Sequence, residues 1–216
     1  MPKSKIIRSS EFPYHVSARS NNKAWFGLSP EKLWAIFSEY LYLIHKLYDI
    51  EIHCFVMMNN HFHLIMRTPQ ANIDLVMQYF MRETSRVIAY ETGRINHVYG
   101  GAYKSSLITD HAYYFNAYKY VLRNPVKAKI CKRVEEYRFS TLHGQFGFSF
   151  LLIPVVGNDE FDSNTEKFLA WVNTAPMEEE TESIRKALRR REFKLSATQK
   201  TKKKADLAYP FSSPQY

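Results

Sequence analysis

The stretch IEIHCFVMMNNHFHLIMR, residues 50–67, decides the fold. In its first half Ile50, Ile52, Cys54 and Val56 alternate onto one face of a strand ending near Met58. Asn59-Asn60 is a turn signal, because Asn tolerates the positive φ of tight hairpins. His61 to Arg67 then reads as the returning strand. Two residues apart on that strand, His61 and His63 project together, and Phe62 turns the other way into a core.

Working outward, His15 to Arg19 (HVSAR) is predicted to be a first strand. A helix follows, with Ser29 as N-cap and Pro30 at the first helical position. Leu33, Ile36, Phe37, Tyr40, Leu41, Ile44 and Leu47 form its apolar stripe. After Thr68-Pro69 a second helix runs from about Asn72 to Thr92, stopped by Gly93. Tyr103 to Ile108 is a further strand. Asp110 caps a third helix ending near Arg123, since Pro125 disfavours helical geometry at Asn124. This order predicts an α+β domain over residues 10–145: a ferredoxin-like antiparallel sheet with helices packed on one face.

Residues 146–216 differ in character and read as a basic C-terminal extension, partly disordered. Glu178, Glu179, Glu180 and Glu182 precede Arg185, Lys186, Arg189, Arg190 and Arg191, and a second block spans Lys200 to Lys204. Such a segment is either a solvated helix with a loose tail or an arm that grips nucleic-acid backbone.

With 216 residues, 45% of them apolar, the chain can build a real core. Fifteen Tyr and fifteen Phe exceed what one core needs, which leaves rings for stacking on bases. A net charge of +9 points to a polyanionic partner, either nucleic acid or an anionic membrane surface. The membrane option is weak: the most apolar run, Phe148 to Val156, is broken by Ser149 and Pro154 and falls short of the roughly 20 residues a span requires. The basic start is not followed by a signal-peptide segment, and Cys54 and Cys131 stand alone. A cytoplasmic protein, nucleoid-associated when bound to DNA, is expected.

Two constellations carry chemistry. Paired neutral imidazoles at His61 and His63 suit a divalent metal, although polar strand faces also carry histidines. Whether His53, across the hairpin, joins the pair is left open by its parity. Tyr120 and Asn124, four apart, share a helical face if the helix persists. A phenol near pKa ~10 is a poor nucleophile until its phenolate is stabilised, and Asn124 offers a hard amide oxygen beside two imidazoles. Tyr113, Tyr114 and Tyr118 are rivals on the same helix, and any of the four can be an ordinary core aromatic. Arg82, Arg86 and Arg94, with Lys104, Lys119, Arg123 and Lys127, form a possible phosphate track, or are solvated surface charges.

Together these runs resemble a known family. FVMMNNHFHLIMRTP is similar to the metal-binding segment of the His-hydrophobe-His single-tyrosine transposases. YKYVLRNPVKAKI resembles their nucleophile helix, especially in the REP-associated tyrosine transposase branch. FPYHVSARSNNKAWF, HVYGGAYKSSLITD and YRFSTLHG add matches, in the expected order over about residues 10–145. One departure is Asn59, where the family usually has Pro; it alters the turn and not the ligands.

The resemblance implies that His61, His63 and Asn124 bind Mg²⁺ or Mn²⁺. It implies that Tyr120 attacks a phosphate of single-stranded DNA beside a hairpin, leaving a 5′-phosphotyrosine and a free 3′-hydroxyl. It further implies a monomer acting in cis, with a homodimer as the alternative. Three rival readings are a non-catalytic single-strand-binding module, a degenerate relative that has lost its chemistry, and a zinc hydrolase. The first leaves the His pair and Tyr-x-x-x-Asn-Pro run without purpose. The proposed nucleophile and all three ligands are present, against the second, and the third lacks an adjacent carboxylate base.

Overall fold

A computed structural model of the chain describes residues 6–157 and 164–195. The Lys200–Lys204 block and the tail expected to be disordered lie outside the described residues. The hairpin is present as β2 (Glu51–Met58) and β3 (His61–Arg67). With β1 (Tyr14–Arg19) and β4 (Lys104–Leu107) they form one antiparallel sheet in the order β2-β3-β1-β4. This is the strand order of a ferredoxin-like plan, with β3 and β1 central.

Two details of the hairpin differ from the alternation rule. The register shifts between Ile52 and Cys54, leaving His53 as the extra residue of a bulge. A bulge advances side-chain parity by one. Ile50 and Ile52 therefore share a core with Phe55 and Met57, while Cys54 and Val56 face the opposite side. The turn itself has no residue at positive φ. Neighbours fix it instead: Phe26 N–H donates to the Asn59 carbonyl at 3.2 Å and Ser20 N–H to that of Asn60 at 2.9 Å.

Helix α1 (Pro30–Tyr48) starts as its sequence dictates, with Ser29 Oγ accepting from Lys32 N–H. It buries Leu33, Ile36, Phe37, Leu41 and Ile44, but Leu47, expected in the same stripe, is exposed. The helix ends at Asp49, whose left-handed φ of 51° turns the chain into β2 just beyond. Helix α2 (Ile73–Thr92) ends on Gly93 at φ 63°. Both pack on the sheet face that presents Val16, Phe62, Leu64 and Met66. Phe62 lies among the rings of Phe37, Phe55, Phe80 and Tyr99.

The other sheet face is covered as well. Helix α3 (His111–Leu122), capped by Asp110 Oδ1 accepting from Tyr113 N–H at 3.1 Å, lies over Cys54, Val56, Met58 and Ile65. Arg123 keeps right-handed helical angles, so the chain passes directly into the short α4 (Asn124–Lys127), with Pro125 tolerated in its first turn. Downstream come α5 (Thr141–Gln145), α6 (Thr165–Asn173) and α7 (Glu178–Ala187). Phe168, Val172, Ile184, Leu188 and Phe193 of the extension are buried in this second core.

Both edges of the sheet are closed by segments that follow α3. Along β2, Met57 N–H donates to Phe139 O at 3.0 Å and Val156 N–H to Ile52 O at 2.8 Å. Along β4, Leu107 N–H donates to Arg191 O and Phe193 N–H to Leu107 O, both at 2.8 Å. Covering an edge removes a row of open backbone groups. The described part of the extension is thus built into the fold that begins before residue 145.

Candidate active site

On this second face the apolar half lies under α3, and the polar half is left as the floor of a cavity of about 800 Å³. Register explains the floor. Ser17 stands opposite His63 and Arg19 opposite His61, while Lys104 pairs with Ser17 on the far side. His15 shares their parity. The rim is the β1–α1 loop, where Asn22 and Lys23 both adopt left-handed φ (54° and 59°), and the Gly100-Gly101 turn. Gly100 packs closely there: a Cβ would sit 3.2 Å from the Ser20 carbonyl. Tyr120, Asn124, Arg185, Leu188 and Arg189 form the opposite wall.

The hydrogen bonds of His61 define its chemistry. Asn60 Nδ2 donates to Lys23 O at 2.9 Å, which orients the amide, and Asn60 Oδ1 lies 2.7 Å from His61 Nδ1. A carbonyl oxygen can only accept, so His61 carries its proton on Nδ1 and keeps a bare Nε2. His63 Nδ1 lies 2.8 Å from His15 Nε2, a partner the sequence did not announce. If His63 donates that bond, its Nε2 is bare too. Burial pushes all three imidazoles down: His15 to about 3, His61 to about 4 with Arg19 assisting, and His63 well below its ordinary value, with His15 and His61 adding to the effect. They are neutral at physiological pH, the form a metal requires.

Tyr120 is the one tyrosine among the cavity's described lining residues. Its ring meets that of His63 edge-on, centroids 5.8 Å apart at 89°. Burial raises its phenol pKa, opposed by the positive charges of Arg185 and Arg189. The rivals lie elsewhere. Tyr114 and Tyr118 are buried in the second core, and Tyr113 packs on Phe193 with centroids 5.0 Å apart. His53 does not join the histidine pair: its Nδ1 lies 3.0 Å from Tyr114 Oη, on the bulge.

Asn124 donates Nδ2 to the carbonyl of Tyr120 at 2.8 Å, one turn earlier. Its amide nitrogen is thereby occupied, leaving Oδ1 as the acceptor of a side chain that lines the cavity. Among the described residues no group of three His, Cys, Asp or Glu side chains is placed to hold a metal. Two imidazoles and an amide oxygen are a different donor set. They fit a weakly held hard divalent ion that keeps some of its waters.

The expected phosphate track is only partly assembled. Lys104 lines the cavity. Arg82 and Arg86 are exposed on α2, the layer behind the sheet, and both bind Glu83, at 2.8 and 2.9 Å. Arg94, just beyond α2, does not line the cavity either. Lys119 lies 5.0 Å over the Trp171 ring, and burial, assisted by Arg123, lowers its pKa to about 8. Arg123 donates to Val172 O at 3.0 Å, and Lys127 is exposed on α4 away from the lining. In their place stand Arg19, Lys23, Arg185 and Arg189. No carboxylate is among the described lining residues.

Residues 10–124 match the family model described as "Transposase IS200 like", a span that ends on Asn124 and exceeds half of the chain. The chain belongs to the IS200-like transposase family. The structure of a REP-associated tyrosine transposase bound to a REP hairpin is similar at 17% identity. It aligns over 73% of this transposase and 93% of that chain with a TM-score of 0.56, a likeness of fold. A protein of Deinococcus radiodurans R1 assigned as a transposase aligns at 14% identity over 52% of this chain and 89% of its own, with a TM-score of 0.39. No curated protein matches the chain. No helix among the described residues is long and apolar enough to cross a membrane.

Proposed function

We propose that this transposase nicks and rejoins single-stranded DNA beside hairpins, with Tyr120 as nucleophile. One observation carries the reading: Tyr120 meets His63 edge-on in a cavity lined by five cationic side chains and no described carboxylate. Such a cavity favours a phosphate chain and disfavours cationic partners. The hairpin preference rests on the similar fold of the REP-associated enzyme, whose structure holds a REP hairpin.

His61, His63 and Asn124 would hold a Mg²⁺ or Mn²⁺ ion; metal dependence is general in the family. The chemistry such an ion supplies is polarisation of the phosphate and neutralisation of its charge. The residues do the rest. Tyr120 Oη attacks phosphorus, the Oη–P bond forms and the bond from phosphorus to the 3′-oxygen breaks. The phenolic proton is lost and the departing oxygen gains one, leaving a 5′-phosphotyrosine and a free 3′-hydroxyl. The ester retains the energy of the broken linkage, so another 3′-hydroxyl can reverse the step without ATP. Because Tyr120 and His63 meet within one chain, the site supports a monomer acting in cis.

The test is nicking of a labelled single strand carrying a REP-type hairpin, with Mg²⁺ or Mn²⁺, and with His61→Ala as comparison. Nicking that needs metal, yields an extendable 3′-end and disappears in the variant is expected. Metal-independent cleavage, or cleavage surviving His61→Ala, would refute the metal assignment.

A further inference from the structure

The wall of the cavity facing the histidines is supplied only in part by the segment that matches the family model, which contributes Tyr120 and ends at Asn124. Three of its residues, Arg185, Leu188 and Arg189, belong to the extension. Their placement follows from amphipathicity. Ile184, Ala187 and Leu188 bury against α3 in the second core, and this fixes the azimuth of α7. Arg185, on α7, and Arg189, in the turn just past its end, both then fall on the side that borders Tyr120.

We propose that Arg185 and Arg189 clamp the non-bridging oxygens of the scissile phosphate, making the extension part of the active site. This rests on Tyr120 being the nucleophile. Arg185 is held in place by a two-pronged bond to Glu182, at 2.7 and 2.8 Å. That pair is exposed enough to contribute little to stability, so stability does not account for the arginine. Arg189 has no ion pair among the described residues. Both guanidiniums act on the Tyr120 phenol through their charge, which places them within electrostatic reach of the attacking oxygen.

Arg189 can offer a guanidinium fork to two phosphate oxygens, while Arg185, its Nε–Nη2 edge taken by Glu182, offers Nη1 and its permanent charge. As Tyr120 adds to phosphorus, charge spreads over the oxygens that do not leave, and fixed cations there stabilise that charge. Pre-set arginines opposite the histidines would grip the phosphate from the side that the metal ligands do not occupy.

The test uses the full chain and a strand with one neutral methylphosphonate at the mapped cleavage position. In a Tyr120→Phe background the DNA stays intact, and binding is read at equilibrium without added divalent metal, so that only the protein's own side chains sense the phosphate charge. With both arginines, the methylphosphonate should weaken binding about tenfold, the scale of one charge-assisted bond. In Tyr120→Phe/Arg185→Ala/Arg189→Ala the same substitution should change binding less than about twofold. With Tyr120 present, Arg185→Ala/Arg189→Ala should slow single-turnover cleavage about 100-fold, and Arg189→Lys should lose less than Arg189→Ala. Equal sensitivity to the methylphosphonate in both backgrounds, or cleavage that is unchanged or faster without the arginines, overturns the clamp. If the wild-type chain forms no Tyr120 adduct with any hairpin strand, the functional reading beneath it has failed instead.

Discussion

His15 Nε2 lies 2.8 Å from His63 Nδ1, so one buried imidazole orients another. Partners of this kind set which ring nitrogen of a metal ligand is bare, and their loss costs about 10–100-fold in metal affinity. His15→Phe fills the same space without a nitrogen. Mn²⁺ titration followed by electron paramagnetic resonance should show affinity weakened by about that factor. An unchanged affinity would mean that His63 needs no partner.

Stability should fall in mild acid, and His53 is a clean reporter because it stands apart from the metal ligands. Burial against Tyr114 pushes its imidazole down to about 4 from 6.5, with Glu51 opposing and Arg67 assisting. As pH falls below 6.5 the unfolded chain takes up a proton, and the folded chain follows only near 4. Stability present above 6.5 is therefore lost progressively between those values, at up to about 1.4 kcal/mol per pH unit for each such histidine. His15 and His61 act in the same direction. Urea midpoints of the metal-free protein at pH 7 and pH 5 check this, and His53→Gln should flatten the slope by one proton. An unaltered slope in that variant would contradict the assignment.

The extension should unfold together with the domain. Phe168 is fully buried, near Tyr118 and Trp171, so Phe168→Ala should cost about 3–5 kcal/mol. Trp34 packs in the first core and Trp171 in the second. Chains retaining only one or the other should report coincident urea transitions, both shifted by Phe168→Ala. An earlier transition at Trp171 would mark the extension as a separate unit.

Salt dependence separates the cations of the cavity from those behind the sheet. Removing one cation that neutralises a phosphate lowers the slope of log affinity against log salt by roughly 1. Lys104→Ala, on the cavity floor, should show such a decrease on single-stranded DNA. Arg82→Ala/Arg86→Ala, which removes the two partners of Glu83, should leave the slope unchanged. The reverse pattern would place the DNA path across α2.

What was legible in the sequence was local. Ser29-Pro30, Asp110 and Gly93 mark helix ends by their own capping chemistry, and His61-Phe62-His63 needs only strand alternation to split into ligands and core. What was not legible depends on distant partners. The bulge at His53 shows only in pairing with β3, and it splits a face that alternation had kept whole. His15 joins the site through strand register, although its HVSAR parity with Ser17 and Arg19 was a visible hint. Lys119 and Arg123 looked like phosphate ligands, yet Trp171 and the end of α6 claim them. Arg185 and Arg189 reach the cavity for the converse reason, since the apolar side of α7 finds its partner on α3.

The most direct test of the central claim is the identity of the residue left covalently attached to DNA. Full-length protein would be incubated with labelled hairpin-bearing single strands and Mg²⁺ or Mn²⁺, denatured, digested and sequenced by mass spectrometry. A 5′-phosphorylated nucleotide is expected on the peptide carrying Tyr120, absent in Tyr120→Phe and without metal. An adduct on Tyr113, Tyr114 or Tyr118, or cleavage with no adduct, would contradict Tyr120 as the nucleophile.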